Sequence, residues 1–123
     1  MSVEVISLAA KHAEFSETWS PHRVAALDGH AVKLVKAVGA FDWHAHPDAD
    51  ELFFVSRGIL KIEIEDQDPV IIGPGELCVI PKGVRHRPIA RTDTVHLMLI
   101  EQAGVVNTGD NETSDKTAAV RDL

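Results

Sequence analysis

Two histidines of the sequence, His44 and His46, are separated by a single residue. Successive side chains of a β-strand alternate between its two faces, so residues i and i+2 project from the same face. Two imidazoles on one face can bind the same transition-metal ion, since neutral imidazole is a common ligand for such metals. The pair taken alone favours two partly exposed histidines near a turn, so a metal site requires further ligands.

A carboxylate stands a few residues later, where Glu51 opens the apolar run 52–55 after the polar turn 47–50. If this run is a strand, its first residue can face the same interior as the two histidines. We therefore choose Glu51 as the third ligand. Asp48 and Asp50 are alternatives for that role, or solvated residues that favour the turn.

A third histidine, His86, stands at the start of an expected strand, after the segment 81–85 that contains the turn residues Pro81 and Gly83. Proline and glycine favour a tight turn, which would aim the following strand. The expected metal site is therefore His44, His46, Glu51 and His86.

At this point the sequence resembles the cupin superfamily, which has two motifs. The first is Gly, five residues, His-x-His, three or four residues, Glu, six residues and Gly, matched here by Gly39, His44, His46, Glu51 and Gly58. The second is Gly, five residues, Pro-x-Gly, two residues, His, three residues and Asn, matched here by Gly75, Pro81, Gly83 and His86. The resemblance extends over residues 23–101 and implies that all four metal-ligand positions of the family are filled.

Two positions depart from the family pattern. Only four residues separate Gly39 from His44, and Ala90 stands where the second motif has Asn. Neither position ligates the metal in the family, so the implied site is unaffected.

The distribution of apolar and turn-forming residues along the chain predicts an all-β fold. Short runs of Val, Ile, Leu and Phe are separated by closely spaced turn signals, which favours many short antiparallel strands. Apolar and charged residues alternate over 60–65, as in a strand with one buried face, and 70–72 is its expected hairpin partner. This pattern and the resemblance both indicate a jelly-roll barrel, a double-stranded β-helix.

We expect three regions. Residues 1–22 form an N-terminal arm or short helix, and residues 23–102 form the barrel. Residues 103–123 form a polar tail that is either disordered or laid along the surface, because it holds few large apolar groups.

Composition excludes several classes of partner. The 123 residues carry a net charge of -7, so a nucleic-acid partner, which requires a concentrated basic face, is not expected. No apolar run approaches the length of a membrane span, and the start of the chain lacks the features of a secretory signal. We therefore expect a cytoplasmic protein with a single domain, one small-molecule ligand and no membrane partner.

Three imidazoles and a carboxylate suit one divalent ion of Fe, Mn, Ni, Zn or Cu, and the sequence does not choose among them. The first functional hypothesis is a metal-dependent enzyme on a small polar organic substrate, of the dioxygenase or sugar-phosphate isomerase type. The alternative is a non-catalytic cupin module that binds a metal together with an effector or sugar.

The sequence also leads to expectations for residues that are not candidate metal ligands. His96 is a candidate acid or base, or a hydrogen-bonded core histidine, and Cys78 is expected to fill the core. Surface positions are expected for His12, His22 and His30. Arginine side chains near the motifs could bind an acidic substrate at the mouth of the barrel, or be solvated; they are Arg57, Arg85 and Arg87.

The strand pattern also separates an inner from an outer apolar set. The expected inner lining consists of Phe53, Val55, Leu60, Ile62, Ile64 and Met98. The expected outer set consists of Phe41, Trp43, Leu52 and Phe54. An apolar outer face of this kind either pairs in a homodimer, which we predict, or is covered by Phe15 and Trp19 of the arm.

Overall fold

A computed structural model describes residues 2–123 of the protein, which contain one short helix and nine strands. The elements follow one another as α1 (Leu8–His12), β1 (His22–Leu27), β2 (His30–Ala37), β3 (Glu51–Arg57), β4 (Leu60–Ile64), β5 (Gln67–Ile72), β6 (Leu77–Ile80), β7 (His86–Ala90), β8 (Val95–Gln102) and β9 (Arg121–Asp122). The predicted all-β class is confirmed.

The strands form two sheets, with the orders β6-β3-β8-β2-β1-β9 and β5-β4-β7. All neighbouring pairs are antiparallel except β1 and β9, which are parallel. The predicted hairpin is present, since Leu60 pairs with Ile72 and Ile62 pairs with Val70. The architecture is the double-stranded β-helix that the sequence pattern indicates.

The core lies between the two sheets because alternate residues of each strand point inward. In β4, Leu60, Ile62 and Ile64 are buried, and the intervening charged residues are half-buried. In β8 the same alternation buries Val95 and Leu97. Apolar side chains from both sheets join in a single cluster, whose burial is the main source of folding free energy.

Two assignments of the inner and outer sets are wrong. Phe41 is buried in the core, where its ring lies 4.7 Å from that of Trp19, because residue 41 lies in the irregular segment between β2 and β3, where strand alternation does not apply. Met98 is half-buried on the outer face of β8, because strand alternation places it with His96 and not with Leu97.

Two of the three histidines expected at the surface are buried. His12 and His22 are 0% and 3% exposed, whereas His30 is exposed as predicted. The N-terminal arm folds back over β2 and β8, so that His12 stacks on His96 and Phe15 stacks on His22. Composition alone could not reveal this covering, since the arm packs against strands distant in sequence.

The polar tail lies along the barrel. This is one of its two expected arrangements, the other being a disordered tail. Thr108 is 1% exposed, and Asn107 donates hydrogen bonds to the carbonyl oxygens of Trp19 and Lys116. The chain then ends in β9, which pairs with β1. Hydrogen bonds of this kind attach a segment that has few large apolar groups to the barrel.

Within residues 2–123, the single helix is far too short to cross a membrane.

Candidate metal centre

His44 and His46 lie on an extended segment that is not part of a regular strand, in contrast to the expectation. The segment is bridged to β7 at one position, where the backbones of His44 and His86 exchange hydrogen bonds of 3.0 and 2.9 Å. The conformation is nevertheless extended enough to direct both side chains inward, and they are 2% and 4% exposed. Both imidazoles therefore face the interior, as their spacing predicts, although the segment is not a regular strand.

Glu51 opens β3, as predicted, and its side chain is 3% exposed. Its two carboxylate oxygens lie 3.5 Å from His46 Nε2 and 3.4 Å from His86 Nε2. His86 opens β7 after the turn at 82–83 and is fully buried. Each of the four side chains offers one ligand atom, and these four atoms all lie within 4.8 Å of one another.

The hydrogen bonds of the histidines leave their other ring nitrogens free for a metal. His44 Nδ1 lies 2.9 Å from the carbonyl oxygen of Asp42, and His86 Nδ1 lies 2.9 Å from that of Val84. A carbonyl oxygen only accepts hydrogen bonds, so Nδ1 carries the proton in both rings and Nε2 presents a lone pair. Such hydrogen bonds typically orient histidine ligands of metals.

Several buried polar atoms at the site have no hydrogen-bond partner. Among residues 2–123, the buried side-chain atoms without one are His46 Nε2, His86 Nε2, Glu51 Oε1 and Glu101 Oε2. Leaving such atoms unsatisfied costs about 1 to 3 kcal/mol each, so their convergence in one place requires an explanation. A cation among them would satisfy the three that belong to the four-residue group, and the donor set therefore fits a transition metal.

The electrostatics also favour the metal-binding forms of these side chains. Burial, followed by the neighbouring His86, lowers the pKa of His44 to about 4, so this ring is neutral at pH 7. For Glu51, burial acts to raise the pKa, but the imidazoles of His46 and His86 bring it well below its usual range. Neutral imidazole and ionised carboxylate are the forms that ligate metals.

Beside the four residues lies a cavity of about 30 Å³, room for roughly two water molecules. Its wall is mostly apolar and includes Trp19 from the arm and Asn107 from the tail. The polar groups that reach it are His44, Glu51, Glu101 and Asn107. An ion held by four protein ligands would therefore face a small and largely dry space.

Sequence reasoning missed a buried ion pair next to this cavity. Lys33 Nζ lies 3.0 Å from Glu101 Oε1, and both side chains are 2% exposed. Burial, and then the negative charge of Glu51, raise the pKa of Glu101 above its usual value, and the ammonium group of Lys33 opposes this rise by favouring the carboxylate form. The signal was present in the sequence, since Lys33 and Glu101 occupy alternate positions of their strands that are otherwise apolar.

The structure does not bring His96 to the four-residue group. This side chain is on the outer face of β8, where its ring stacks 4.4 Å from that of His12. The alternative acids also stay outside, since Asp48 is exposed and Asp50 accepts a 2.9 Å hydrogen bond from the backbone of Lys82.

The three arginines lie on the outside of the protein. Arg85 and Arg87 pack over the ring of Trp43 and pair with Glu65 and Glu63 respectively. Arg57 lies in an open cleft beside His96. Cys78 is half-buried against the core, and its burial raises the pKa of its thiol. None of these four residues belongs to the lining of the cavity beside the metal ligands.

The chain is similar to known proteins over most of its length. The cupin domain family profile matches residues 32–101. The uncharacterized protein YdbB of Bacillus subtilis (strain 168) is 38% identical over 87 residues, which cover 71% of each chain.

Two solved structures resemble it closely. A cupin-2 domain containing protein from Shewanella frigidimarina NCIMB 400 has 42% identity and a TM-score of 0.76, with 80% of this chain and 94% of that chain covered. Protein NMB1881 from Neisseria meningitidis has 33% identity and a TM-score of 0.73, with 81% and 100% covered. Since the family profile spans more than half of the sequence and the fold agrees, the chain belongs to the cupin family.

Proposed function

We propose that this protein is a metal-dependent cupin enzyme of the dioxygenase type, acting on a small organic molecule. His44, His46, Glu51 and His86 would hold one divalent transition metal. The observation that carries the proposal is the convergence of four buried ligand atoms within 4.8 Å, three of which have no hydrogen-bond partner. When bound, such an ion would supply open coordination positions and Lewis-acid or dioxygen chemistry.

The cavity favours oxygen chemistry over isomerisation of a sugar phosphate. A phosphate requires a cationic side chain or a cluster of free backbone N–H groups. No arginine or lysine lines this cavity within residues 2–123, and Lys33 nearby already donates to Glu101. A small apolar space instead suits a diatomic ligand beside the ion.

An organic substrate larger than two water molecules requires the wall of the cavity to move. Trp19 is the wall residue that we expect to move, and its movement would break the hydrogen bonds that its backbone N–H and Nε1 donate to the carbonyl oxygens of Lys36 and Val38. Its backbone has a φ of 56°, which is a strained conformation for a bulky residue. Strain of this kind is compatible with a wall that changes conformation when substrate enters.

A non-catalytic metal-binding module is the second candidate. The same small, apolar cavity favours it, since few polar groups are available to orient a substrate. In that case the metal would stabilise the barrel, and a small effector would bind beside it without turnover.

The decisive experiment begins with elemental analysis of the purified protein. The protein is then loaded anaerobically with Fe²⁺, and oxygen uptake is measured with a panel of small phenols, hydroxy ketones and hydroxy acids. Oxygen uptake that depends on one compound class, and that is absent from His46→Ala, supports the dioxygenase proposal. Anaerobic conversion of sugar phosphates would instead identify an isomerase, and ligand-induced thermal stabilisation without turnover would identify a binding module.

A further inference from the structure

We propose that the C-terminal segment 107–116 is a clamp that positions His44 and His46 for metal binding. The inference rests on the proposed metal centre. It assigns a role in the site to a part of the chain that lies outside the matched cupin domain.

The first observation concerns the backbone of the segment that carries the two histidines. On one side His44 bonds to His86, as in a strand pair. On the other side Ala45 has no strand partner, and the tail takes that place. Ala45 donates a 2.8 Å hydrogen bond to Asp110 Oδ1, and its carbonyl oxygen accepts one of 2.9 Å from the backbone N–H of Asp110.

A neighbouring residue extends this pairing. Asn111 Nδ2 donates a 2.9 Å hydrogen bond to the carbonyl oxygen of Trp43. Backbone groups on both sides of His44 are therefore held by the tail. Because an extended chain with one free edge can shift by fractions of an ångström, this second edge restricts the positions of both imidazoles.

The second observation concerns Asp42, whose carbonyl oxygen accepts a hydrogen bond from the Nδ1–H group of His44. The carboxylate of Asp42 accepts a 2.5 Å hydrogen bond from Ser114 Oγ and lies 3.5 Å from Lys116 Nζ. The tail therefore holds the residue that fixes the tautomer and orientation of His44.

The third observation concerns Gly109, which packs directly against the ligand segment. A Cβ atom at this position would lie 2.2 Å from the carbonyl oxygen of Ala45 and 3.2 Å from His46 Nδ1. Any side chain there must push the segment or the tail away. Close packing of this kind transmits a displacement of the tail to His46.

Gly109→Ala tests the clamp, and Gly104→Ala is its matched control. Both glycines have positive φ, of 54° and 89°, but a Cβ at Gly104 meets no atom within 4 Å. Each variant places a side chain at a positive φ, which strains the backbone. Only Gly109→Ala also disturbs the segment that carries His44 and His46. We expect Co²⁺ affinity, measured by calorimetry, to fall about tenfold or more in Gly109→Ala and to stay within about twofold in Gly104→Ala.

A second pair of variants keeps the test independent of the folding of Gly109→Ala. Asp110→Ala removes the hydrogen bond to Ala45, and Asp68→Ala removes an equally charged, exposed carboxylate on β5, outside the clamp segment. We expect weaker Co²⁺ binding and an altered visible Co²⁺ spectrum in the first variant only. A structural role without positioning would lower the melting temperature of the apoprotein and leave the spectrum unchanged.

Thermodynamic linkage supplies a reciprocal readout, because a segment that tightens metal binding is itself stabilised by the metal. We expect amide hydrogen exchange in 107–116 to slow when Co²⁺ is added to the wild type. Folded Gly109→Ala and Asp110→Ala proteins with wild-type Co²⁺ affinity would overturn the clamp and leave the metal centre standing. A wild type that binds no Co²⁺, Fe²⁺ or Mn²⁺ would refute the metal centre itself.

Discussion

Lys33 Nζ and Glu101 Oε1 lie 3.0 Å apart in the interior, and each side chain is 2% exposed. Strand alternation places both residues inward, on the neighbouring strands β2 and β8. A buried ion pair contributes little net stability compared with an apolar pair, but removing one partner leaves the other buried without compensation. Removing one of the two residues should therefore cost more stability than replacing both.

We expect Lys33→Met to lower the free energy of unfolding by about 3 kcal/mol, because it leaves Glu101 unpaired beside Glu51. The double variant Lys33→Met/Glu101→Met should recover to within about 1 kcal/mol of the wild type, since neither member of the pair is left buried without the other. Urea unfolding of the metal-free protein measures both values.

The control for that experiment is Lys61→Met, which removes a half-exposed lysine 3.8 Å from Glu63. We expect a change of less than about 1 kcal/mol there, as is usual for exposed ion pairs. Equal losses in Lys33→Met and Lys61→Met would contradict the importance of burial.

His46→Ala should abolish stoichiometric metal binding, because it removes one of four converging ligands. Asp50→Ala should retain the metal, since Asp50 accepts a hydrogen bond from the Lys82 backbone outside the cluster. Elemental analysis of both variants after loading with metal measures the outcome, and circular dichroism verifies their folds. Metal retained by His46→Ala would refute the assignment of His46 as a ligand. Metal lost from Asp50→Ala would assign the carboxylate ligand to Asp50 in place of Glu51.

Acid should destabilise the fold partly through His96. Burial and then the nearby charges of His12, Lys36 and Arg57 lower the pKa of His96 to about 4, below the ordinary value of 6.5. The unfolded chain therefore binds a proton at this residue in a pH range where the folded chain does not. The contribution to stability is complete above pH 6.5 and is lost as the pH falls from 6.5 towards 4.

Urea unfolding at pH 7.5 and 5 measures this loss. We expect His96→Gln to lose less stability on acidification than the wild type does, and the exposed His30→Gln to behave like the wild type. The same pH dependence in His96→Gln and the wild type would show that His96 takes no part in it.

The outer face of the larger sheet carries two rows of apolar side chains, and we propose that it pairs with a second copy of the chain. The rows are cross-strand neighbours on β6, β3 and β8, namely Val79, Leu52 and Ile100, and Leu77, Phe54 and Met98. Leu77 and Val79 are 57% and 52% exposed. An uncharged apolar surface is self-complementary across a two-fold axis, which favours a homodimer.

Leu77→Lys should therefore convert a dimer into a monomer, measured by sedimentation velocity at micromolar concentration. Ile71→Lys is the matched control, since Ile71 is 55% exposed but lies on the other sheet. A wild type that sediments only as a 13.4 kDa species would contradict the dimer.

The local pattern of apolar and polar residues was sufficient to predict burial where a residue's environment depends on its immediate neighbours in the sequence. The alternation of Leu60, Ile62 and Ile64 predicted their burial, and the position of Glu51 at the start of an apolar run predicted its inward side chain. Both inferences rest on the two-residue period of an extended chain, which a sequence displays directly.

The sequence pattern did not predict burial correctly where burial depends on contacts between segments that are distant in the sequence. His12 and His22 are polar residues outside any motif, and they are buried because the arm returns over the barrel. Phe41 belongs to the core because Trp19 packs against it.

By itself, the sequence determined the all-β class and identified His44, His46, Glu51 and His86 as candidate metal ligands, because residue types, spacing and the period of an extended chain are local properties. Only the tertiary structure decided that Lys33 and Glu101 form a buried pair, that His96 points away from the centre and that the tail pairs with Ala45. These relationships join residues far apart along the chain. They depend on which strands become neighbours and on how the arm and the tail close over them.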